Sequence, residues 1–127
     1  MNCAAIDTNT LLYIYLHKVD VFELLEKKGF NRFLIPGMVL DELKKLQDKL
    51  SGEEKIAASF ALNLVEEKCE VANVQAESAD DSLISLAEEY NCTLVSSDKE
   101  LIKKAKTRSV ETAYLREMKK IEFNSGY

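Results

Sequence analysis

Residues 3–9 read Cys-Ala-Ala-Ile-Asp-Thr-Asn, and this short stretch decides the fold prediction for the rest of the chain. Four small or apolar residues in a row are typical of a strand that is buried on both faces, as in a parallel sheet. Asp7 follows at once, and the apolar positions between Leu11 and Leu16 predict a helix directly behind it. A buried strand that leads straight into a helix is the beginning of a β-α-β unit, so we expect an α/β fold.

The same alternation of apolar segments and helical patterns continues along the chain. Further strands are expected at about residues 33–35, 71–74, 93–96 and 110–115, and further helices at about 20–28, 38–50, 53–68, 79–90 and 99–106. Strands separated by helices pair in parallel through right-handed crossovers, and the helices then cover both faces of the sheet. The sequence therefore predicts an α/β fold with a central, mostly parallel sheet of about five strands.

Length and composition indicate one folded domain over residues 1–127. Apolar residues make up 46% and charged residues 31%, an ordinary balance for a globular chain. No apolar run approaches the ~18–20 residues that a membrane span requires. No basic leader precedes the first acid, Asp7, so neither a signal peptide nor a membrane partner is expected.

The cysteines and the single histidine limit the chemistry that the chain can perform. Cys3, Cys69 and Cys92 are an odd number and lie far apart, which fits a reducing, cytoplasmic location better than a disulfide framework. Together with His17 they could form a zinc site, but there is no C-x₂-C pair to support it. Because His17 is the only histidine, a nuclease that uses two histidines as acid and base is excluded.

The charges are distributed unevenly. The chain carries a formal net charge of −5, which by itself argues against a nucleic-acid partner because phosphates are bound by Lys and Arg. Residues 99–120, however, contain eight basic and three acidic residues, so this segment carries +5 and the remainder −10. An acidic body with a basic segment can hold a polyanion at one edge. The basic segment can equally be the solvated face of a helix.

Four acidic residues are expected at one end of the predicted sheet. Asp7 and Asp98 each follow a strand directly, Asp80 opens the helix after the third strand, and Glu42 lies one turn into the helix after the second. The carboxyl ends of parallel strands meet at one edge, so the four side chains should converge there. The alternative is that Asp7, Asp80 and Asp98 are N-caps of helices, since Asp is among the best capping residues.

Helical phase separates Glu42 and Asp80 from their acidic neighbours. Both lie on the border of the apolar stripe of their helix, whereas Asp41 and Asp81 point away from it. Clustered carboxylates repel each other by about 3 kcal/mol per pair at ~5 Å and an effective dielectric of ~20. Such a cluster needs protons or cations, and an all-oxygen site suits Mg²⁺ or Mn²⁺. These ions activate water and offset the charge on a phosphodiester, which points to metal-dependent phosphodiester hydrolysis.

Four sequence motifs, in order and over nearly the whole chain, resemble those of PIN-domain ribonucleases. The first is Ala5-Ile6-Asp7-Thr8-Asn9, and the second is the segment 39–43, which contains Glu42. The third is the Ala79-Asp80-Asp81 segment. The fourth is the segment 94–101, in which Ser96 replaces the usual Thr and Asp98 is the acid.

The resemblance implies a PIN-like three-layer α/β/α sandwich and hydrolysis of single-stranded RNA that leaves a 5′-phosphate. It implies Asp7, Glu42, Asp80 and Asp98 as catalytic metal ligands for Mg²⁺ or Mn²⁺. Around them it implies Asn9, Ser96 and Asp81 as hydrogen-bonding residues, with Thr8 as a cap of the first helix. We expect the basic segment to contact RNA through Lys99, Lys103, Lys104, Arg108 and Arg116.

Within this family the residues of the four motifs most resemble those of archaeal relatives of the PIN endonucleases that process small-subunit ribosomal RNA. On that interpretation the substrate is pre-rRNA. The alternatives are a VapC-type toxin of a toxin–antitoxin pair, which adds a protein antitoxin as partner, and a non-catalytic PIN scaffold that binds RNA. A homodimer is compatible with each of them. A response-regulator receiver is disfavoured because paired acids after the first strand and a Lys after the fifth are missing.

Overall fold

The computed structural model describes residues 2–116 and 120–124, which form six strands and six helices. The strands are β1 (Asn2–Ile6), β2 (Phe30–Pro36), β3 (Cys69–Ala72), β4 (Thr93–Ser96), β5 (Thr112–Arg116) and β6 (Lys120–Asn124). The helices are α1 (Thr8–Leu16), α2 (Val21–Lys27), α3 (Gly37–Lys49), α4 (Gly52–Lys68), α5 (Ala79–Tyr90) and α6 (Lys99–Thr107). The helices expected after residue 20 agree with the structure to within one residue at each end.

The strands form one sheet in the order β3-β2-β1-β4-β5-β6. All neighbours from β3 to β5 pair in parallel, and β6 pairs with β5 antiparallel. The predicted α/β fold with a mostly parallel sheet of about five strands is therefore confirmed. The sixth strand was not expected, although the alternating polar and apolar residues at 120–124 are the pattern of a strand.

The direction of the chain reverses between β1 and β4. From β1 the chain moves outward to β2 and β3, returns to β4 beside β1, and then moves the opposite way to β5. Right-handed crossovers put α1 to α4 on one face of the sheet and α5 and α6 on the other. In such sheets, ligands bind in the crevice beyond the carboxyl ends of the two strands at the reversal. Here that crevice lies between the ends of β1 and β4.

The core lies on both faces of the central strands. Ala4, Ala5 and Ile6 of β1 are 0% exposed, as are Leu94 and Val95 of β4. These strands therefore cannot shift without opening the core, and the residues that follow them are held at fixed positions. None of the helices in the described part of the chain combines the length and apolar character needed to cross a membrane.

Cys3 and Cys92 form a disulfide, so the expectation of unpaired cysteines is wrong for these two residues. They are 89 residues apart in sequence, but the register of β1 and β4 pairs Ala4 with Thr93, which places Cys3 opposite Cys92. Their Cα atoms are 4.8 Å apart, the spacing of neighbouring strands. Cys69 is a free, half-buried thiol, and burial raises its pKa to about 12.

Candidate active site

Two of the predicted acids flank the crevice at the reversal of the sheet. Asp7 follows β1 and Asp98 follows β4 after Ser97, and Ser96 connects the two. The Ser96 hydroxyl donates to Oδ2 of Asp7 at 2.5 Å and accepts the backbone N–H of Asp98 at 2.9 Å. Ser96 is 0% exposed, so its hydroxyl is fixed by packing as well as by these bonds. Ser96 therefore fixes the position of the Asp7 carboxylate relative to the backbone of Asp98.

Asp7 is buried, with 5% of its surface exposed, and it is the N-cap of α1. Its Oδ1 accepts the backbone N–H of Thr10 at 2.9 Å. Burial raises the pKa of Asp7, and the hydrogen bonds from Ser96 and Thr10 partly offset this rise. Because Asp7 caps α1, the expectation that Thr8 would do so is wrong.

Thr8 instead holds the carboxylate of Glu42. The Thr8 hydroxyl, on the first turn of α1, donates to Oε1 of Glu42 on α3. Glu42 reaches the crevice from an exposed position on its helix, so this contact orients a side chain that packing leaves free. The sequence offers no signal for this pairing, because Thr8 and Glu42 are 34 residues apart.

Asp80 is not a helix cap. The N-cap of α5 is Ser78, whose hydroxyl accepts the backbone N–H of Asp81 at 3.1 Å. Asp80 is therefore free to face the crevice from the first turn. Partial burial raises the pKa of Asp80, the charges of Asp98 and Glu42 raise it further, and Lys104 opposes the rise. Asp98, in contrast, is the N-cap of α6 and accepts the N–H groups of Glu100 and Leu101 at 2.9 and 3.3 Å.

The four acids surround one cavity of about 270 Å³ at the end of the sheet. Its wall consists of polar residues from four segments together with the apolar edges of α3 and α5: Asp7, Thr8, Asn9, Glu42, Leu46, Ala79, Asp80, Leu83 and Asp98. Sequence patterns predict that Leu46 and Leu83 belong to the core, but both also line the cavity. A residue in the apolar stripe of a helix can contact both the core and an adjacent cavity.

The donor chemistry of this cavity fits a hard divalent cation. Four carboxylates and the amide of Asn9 offer only oxygen ligands of the kind that Mg²⁺ and Mn²⁺ prefer. The raised pKa of Asp80 reflects, after burial, the negative charge around it, which a cation would offset. As the side chains stand, no three of the His, Cys, Asp and Glu residues within the described residues are close enough to hold one ion.

Asp81 lies outside the cavity wall. Its carboxylate is 3.9 Å from Nζ of Lys104 on α6, and its side chain is 40% exposed. Asp80 thus lines the cavity and Asp81 does not, as helical phase predicts. Ser96 lies behind Asp7, to which it donates a hydrogen bond, and Asn9 is part of the cavity wall.

The residues expected to contact RNA fall into two groups. Lys99 and Lys103 line a groove beside Tyr114, and this groove is about 270 Å³ in volume. Lys104 faces Asp81, and Arg108 forms an ion pair with Glu88. The side chain of Arg116 is outside the described part of the chain.

Solved structures of other proteins share this fold. The PIN domain endonuclease Utp24 superimposes with a TM-score of 0.75 and 22% sequence identity, covering 97% of this chain and 91% of that one. VapBC2 from Rickettsia felis, solved bound to a DNA fragment from their promoter, gives a TM-score of 0.61 at 18% identity, covering 80% of this chain and 92% of that one. At these identities the likeness concerns the fold alone.

Sequence comparison extends the likeness from the fold to the family. Ribonuclease VapC9 of Archaeoglobus fulgidus is 49% identical over 121 residues, which cover 95% of this chain and 88% of the relative. Ribonuclease VapC4 of Methanocaldococcus jannaschii is 28% identical over 121 residues, with 91% and 92% covered. The family model described as PIN like domain matches residues 4–118. The chain therefore belongs to the PIN-like domain family.

Proposed function

We propose that this chain is a divalent-metal-dependent ribonuclease that hydrolyses phosphodiester bonds of single-stranded RNA. The observation that carries the proposal is the convergence of Asp7, Glu42, Asp80 and Asp98, from four separate segments, on one cavity at the reversal of the sheet. Family membership and the 49% identity to ribonuclease VapC9 support the same activity.

The four carboxylates would hold Mg²⁺ or Mn²⁺ directly or through water. A bound ion of this kind supplies an activated water and offsets the charge that develops on the phosphodiester. The protein's own contribution is to fix the ligands: Ser96 and Thr10 hold Asp7, and Thr8 holds Glu42. No histidine lines the cavity, so the chain has no imidazole there to act as a general base.

The sequence relatives favour the VapC type of ribonuclease over a ribosomal RNA-processing enzyme. Both relatives named above are VapC ribonucleases, and one is 49% identical across most of this chain. The assignment to pre-rRNA processing rests only on the residues of four short sequence motifs. A VapC-type enzyme would have a protein antitoxin as its partner. A small reading frame directly upstream, whose product copurifies with this chain and inhibits its RNA cleavage, would support the toxin; its absence would favour the processing enzyme.

Substitution of Asp80 is the sharpest test of the proposed activity, because Ser78 rather than Asp80 caps α5. Asp80→Asn should lower the rate of cleavage of an end-labelled single-stranded RNA by about two orders of magnitude or more in Mg²⁺ or Mn²⁺. The loss should occur without a change in circular dichroism or melting temperature that would indicate unfolding.

Asp81→Asn is the matched control, because it makes the same chemical change one residue away and outside the cavity wall. It should cleave within a few-fold of the unsubstituted protein, and chelation with EDTA should stop cleavage by both. Equal cleavage by the two variants, or cleavage that persists in EDTA, would refute the proposed metal-dependent site, and absence of cleavage by the unsubstituted protein would favour a non-catalytic scaffold.

A further inference from the structure

A groove with a cationic rim lies between α6 and β5. Lys99, Lys103 and Lys106 of α6 line it together with Ile102 and Tyr114, and it has a volume of about 270 Å³. Tyr114 is half-buried and packs against the core, so its ring is held in place. The groove therefore combines three lysine cations with one half-buried aromatic ring.

The three lysines occupy one stripe of α6. At 100° per residue they lie within about 60° of one another, and the stripe is about 10 Å long. Lys104 is on the other side of the helix, between about 100° and 160° from each of the three. It faces Asp81, and Arg108 at the end of the helix pairs with Glu88. Lys99, Lys103 and Lys106 therefore point their charges away from the acids of α5, whereas Lys104 and Arg108 do not.

The groove begins next to the acidic cavity. Asp98, which lines the cavity, is the N-cap of α6, and Lys99 is the first residue of that helix. A chain of phosphates with one phosphodiester at the carboxylates therefore meets the lysine stripe as it continues along α6. The positive stripe also offsets the repulsion that the four carboxylates exert on a polyanion.

We propose that the α6–β5 groove binds the RNA strand beside the cleaved bond, with phosphates on Lys99, Lys103 and Lys106 and one base stacked on Tyr114. This inference rests on the proposed ribonuclease function. Single-stranded RNA fits because its unpaired bases are free to stack on an aromatic ring while its phosphates meet the lysines. An acidic peptide would use the lysines but would have no base for Tyr114.

The test compares two double variants of the full chain that remove the same charge from neighbouring positions. Lys103→Gln with Lys106→Gln changes the groove, and Lys104→Gln with Arg108→Gln changes the opposite side. Binding of a fluorescein-labelled single-stranded RNA is measured by anisotropy in EDTA, so that no cleavage occurs, over a range of salt concentrations. The groove variant should flatten the slope of log affinity against log salt by about 1.4, at 0.7 per lost contact. The other variant should leave the slope unchanged, contrary to the expectation from sequence for Lys104 and Arg108, because these side chains face Asp81 and Glu88.

Tyr114 is tested with two substitutions that both retain apolar volume in the core. Tyr114→Leu should weaken RNA binding about tenfold, because it removes the stacking surface, and Tyr114→Phe should bind like the unsubstituted protein. Circular dichroism of both variants checks that the fold is retained. Equal binding by the Leu and Phe variants would overturn the stacking contact.

The groove proposal is overturned if the groove variant keeps the salt slope of the unsubstituted protein, or if only the Lys104 and Arg108 variant changes it. It is also overturned if polyglutamate of matched charge competes as well as RNA. Failure of the ribonuclease proposal is a separate result, seen in the cleavage assay with Asp80→Asn. A protein that binds RNA through the groove but does not cleave it would support the groove and refute the enzyme.

Discussion

Two hydroxyl groups determine how the acids of the cavity are held. Ser96 donates to Asp7 and accepts from the backbone of Asp98, and Thr8 donates to Glu42. Both hydroxyls occupy positions that a sequence pattern assigns to a strand end or a helix start. Their pairing with distant carboxylates is a property of the folded chain, so the sequence indicated the acids but only part of what orients them.

The buried charge of Asp7 makes stability depend on pH in the absence of metal. Its pKa is raised in the folded state, so between 3.8 and that raised value the folded chain binds more protons than the unfolded chain. Stability therefore rises as the pH falls through this interval, and above it the cost of the buried charge is fully present.

Asp7→Asn should remove this cost while retaining an acceptor for the α1 cap. In EDTA at about pH 7 the variant should melt at a higher temperature than the unsubstituted protein, and the difference should shrink as the pH approaches 3.8. Excess Mg²⁺ should raise only the melting temperature of the unsubstituted protein, and the variant should not cleave RNA. A variant that is less stable at neutral pH in EDTA would contradict this account.

At the scale of elements, the helix caps separate structural acids from free ones. Asp7 and Asp98 cap α1 and α6 and also line the cavity, so the cap interpretation is confirmed for both and is compatible with the proposed site. For α5 the cap is Ser78, two residues before Asp80. The sequence pattern indicated Asp80 as the possible cap, because Asp is a good capping residue and stands just before the apolar stripe, and this alternative is wrong for Asp80.

The α5 cap can be tested directly. Ser78→Ala should lower the free energy of unfolding by about 1 kcal/mol, because the N–H of Asp81 loses its acceptor. Asp80→Ala should cause no such loss, since it removes a charge that Asp98 and Glu42 repel. Urea denaturation of both variants in EDTA measures the difference, and the reverse order of stabilities would show that Asp80 is the cap.

At the scale of the whole molecule, the Cys3–Cys92 disulfide joins the starts of β1 and β4, the two strands that Asp7 and Asp98 follow. It lies at their amino-terminal side, opposite the cavity, and cross-links positions 89 residues apart. A cross-link that closes so long a loop restricts the unfolded chain strongly. The disulfide therefore acts on global stability, while the carboxyl ends of the same strands carry the candidate active site.

Removal of this disulfide should lower stability markedly. Replacing both Cys3 and Cys92 with Ser, or adding dithiothreitol to the unsubstituted protein, should reduce the free energy of unfolding by about 2–5 kcal/mol. Cys69→Ser is the control and should remain sensitive to dithiothreitol, because Cys69 takes no part in the disulfide. Urea midpoints that do not change with reductant would show that the disulfide contributes nothing to stability.

The sequence by itself determined the alternation of strands and helices and the family, and it indicated the four acids. These features depend on local periodicity, on short motifs and on which residues directly follow a strand or begin a helix. The residues of the motifs favoured an enzyme that processes ribosomal RNA, whereas the similarity to VapC9 supports the toxin alternative. The tertiary structure decided what depends on how the strands and helices pack together: the contact of Cys3 with Cys92, the bond from Thr8 to Glu42, and the contact of Lys104 with Asp81. Such contacts join residues far apart in sequence, and no local pattern encodes them.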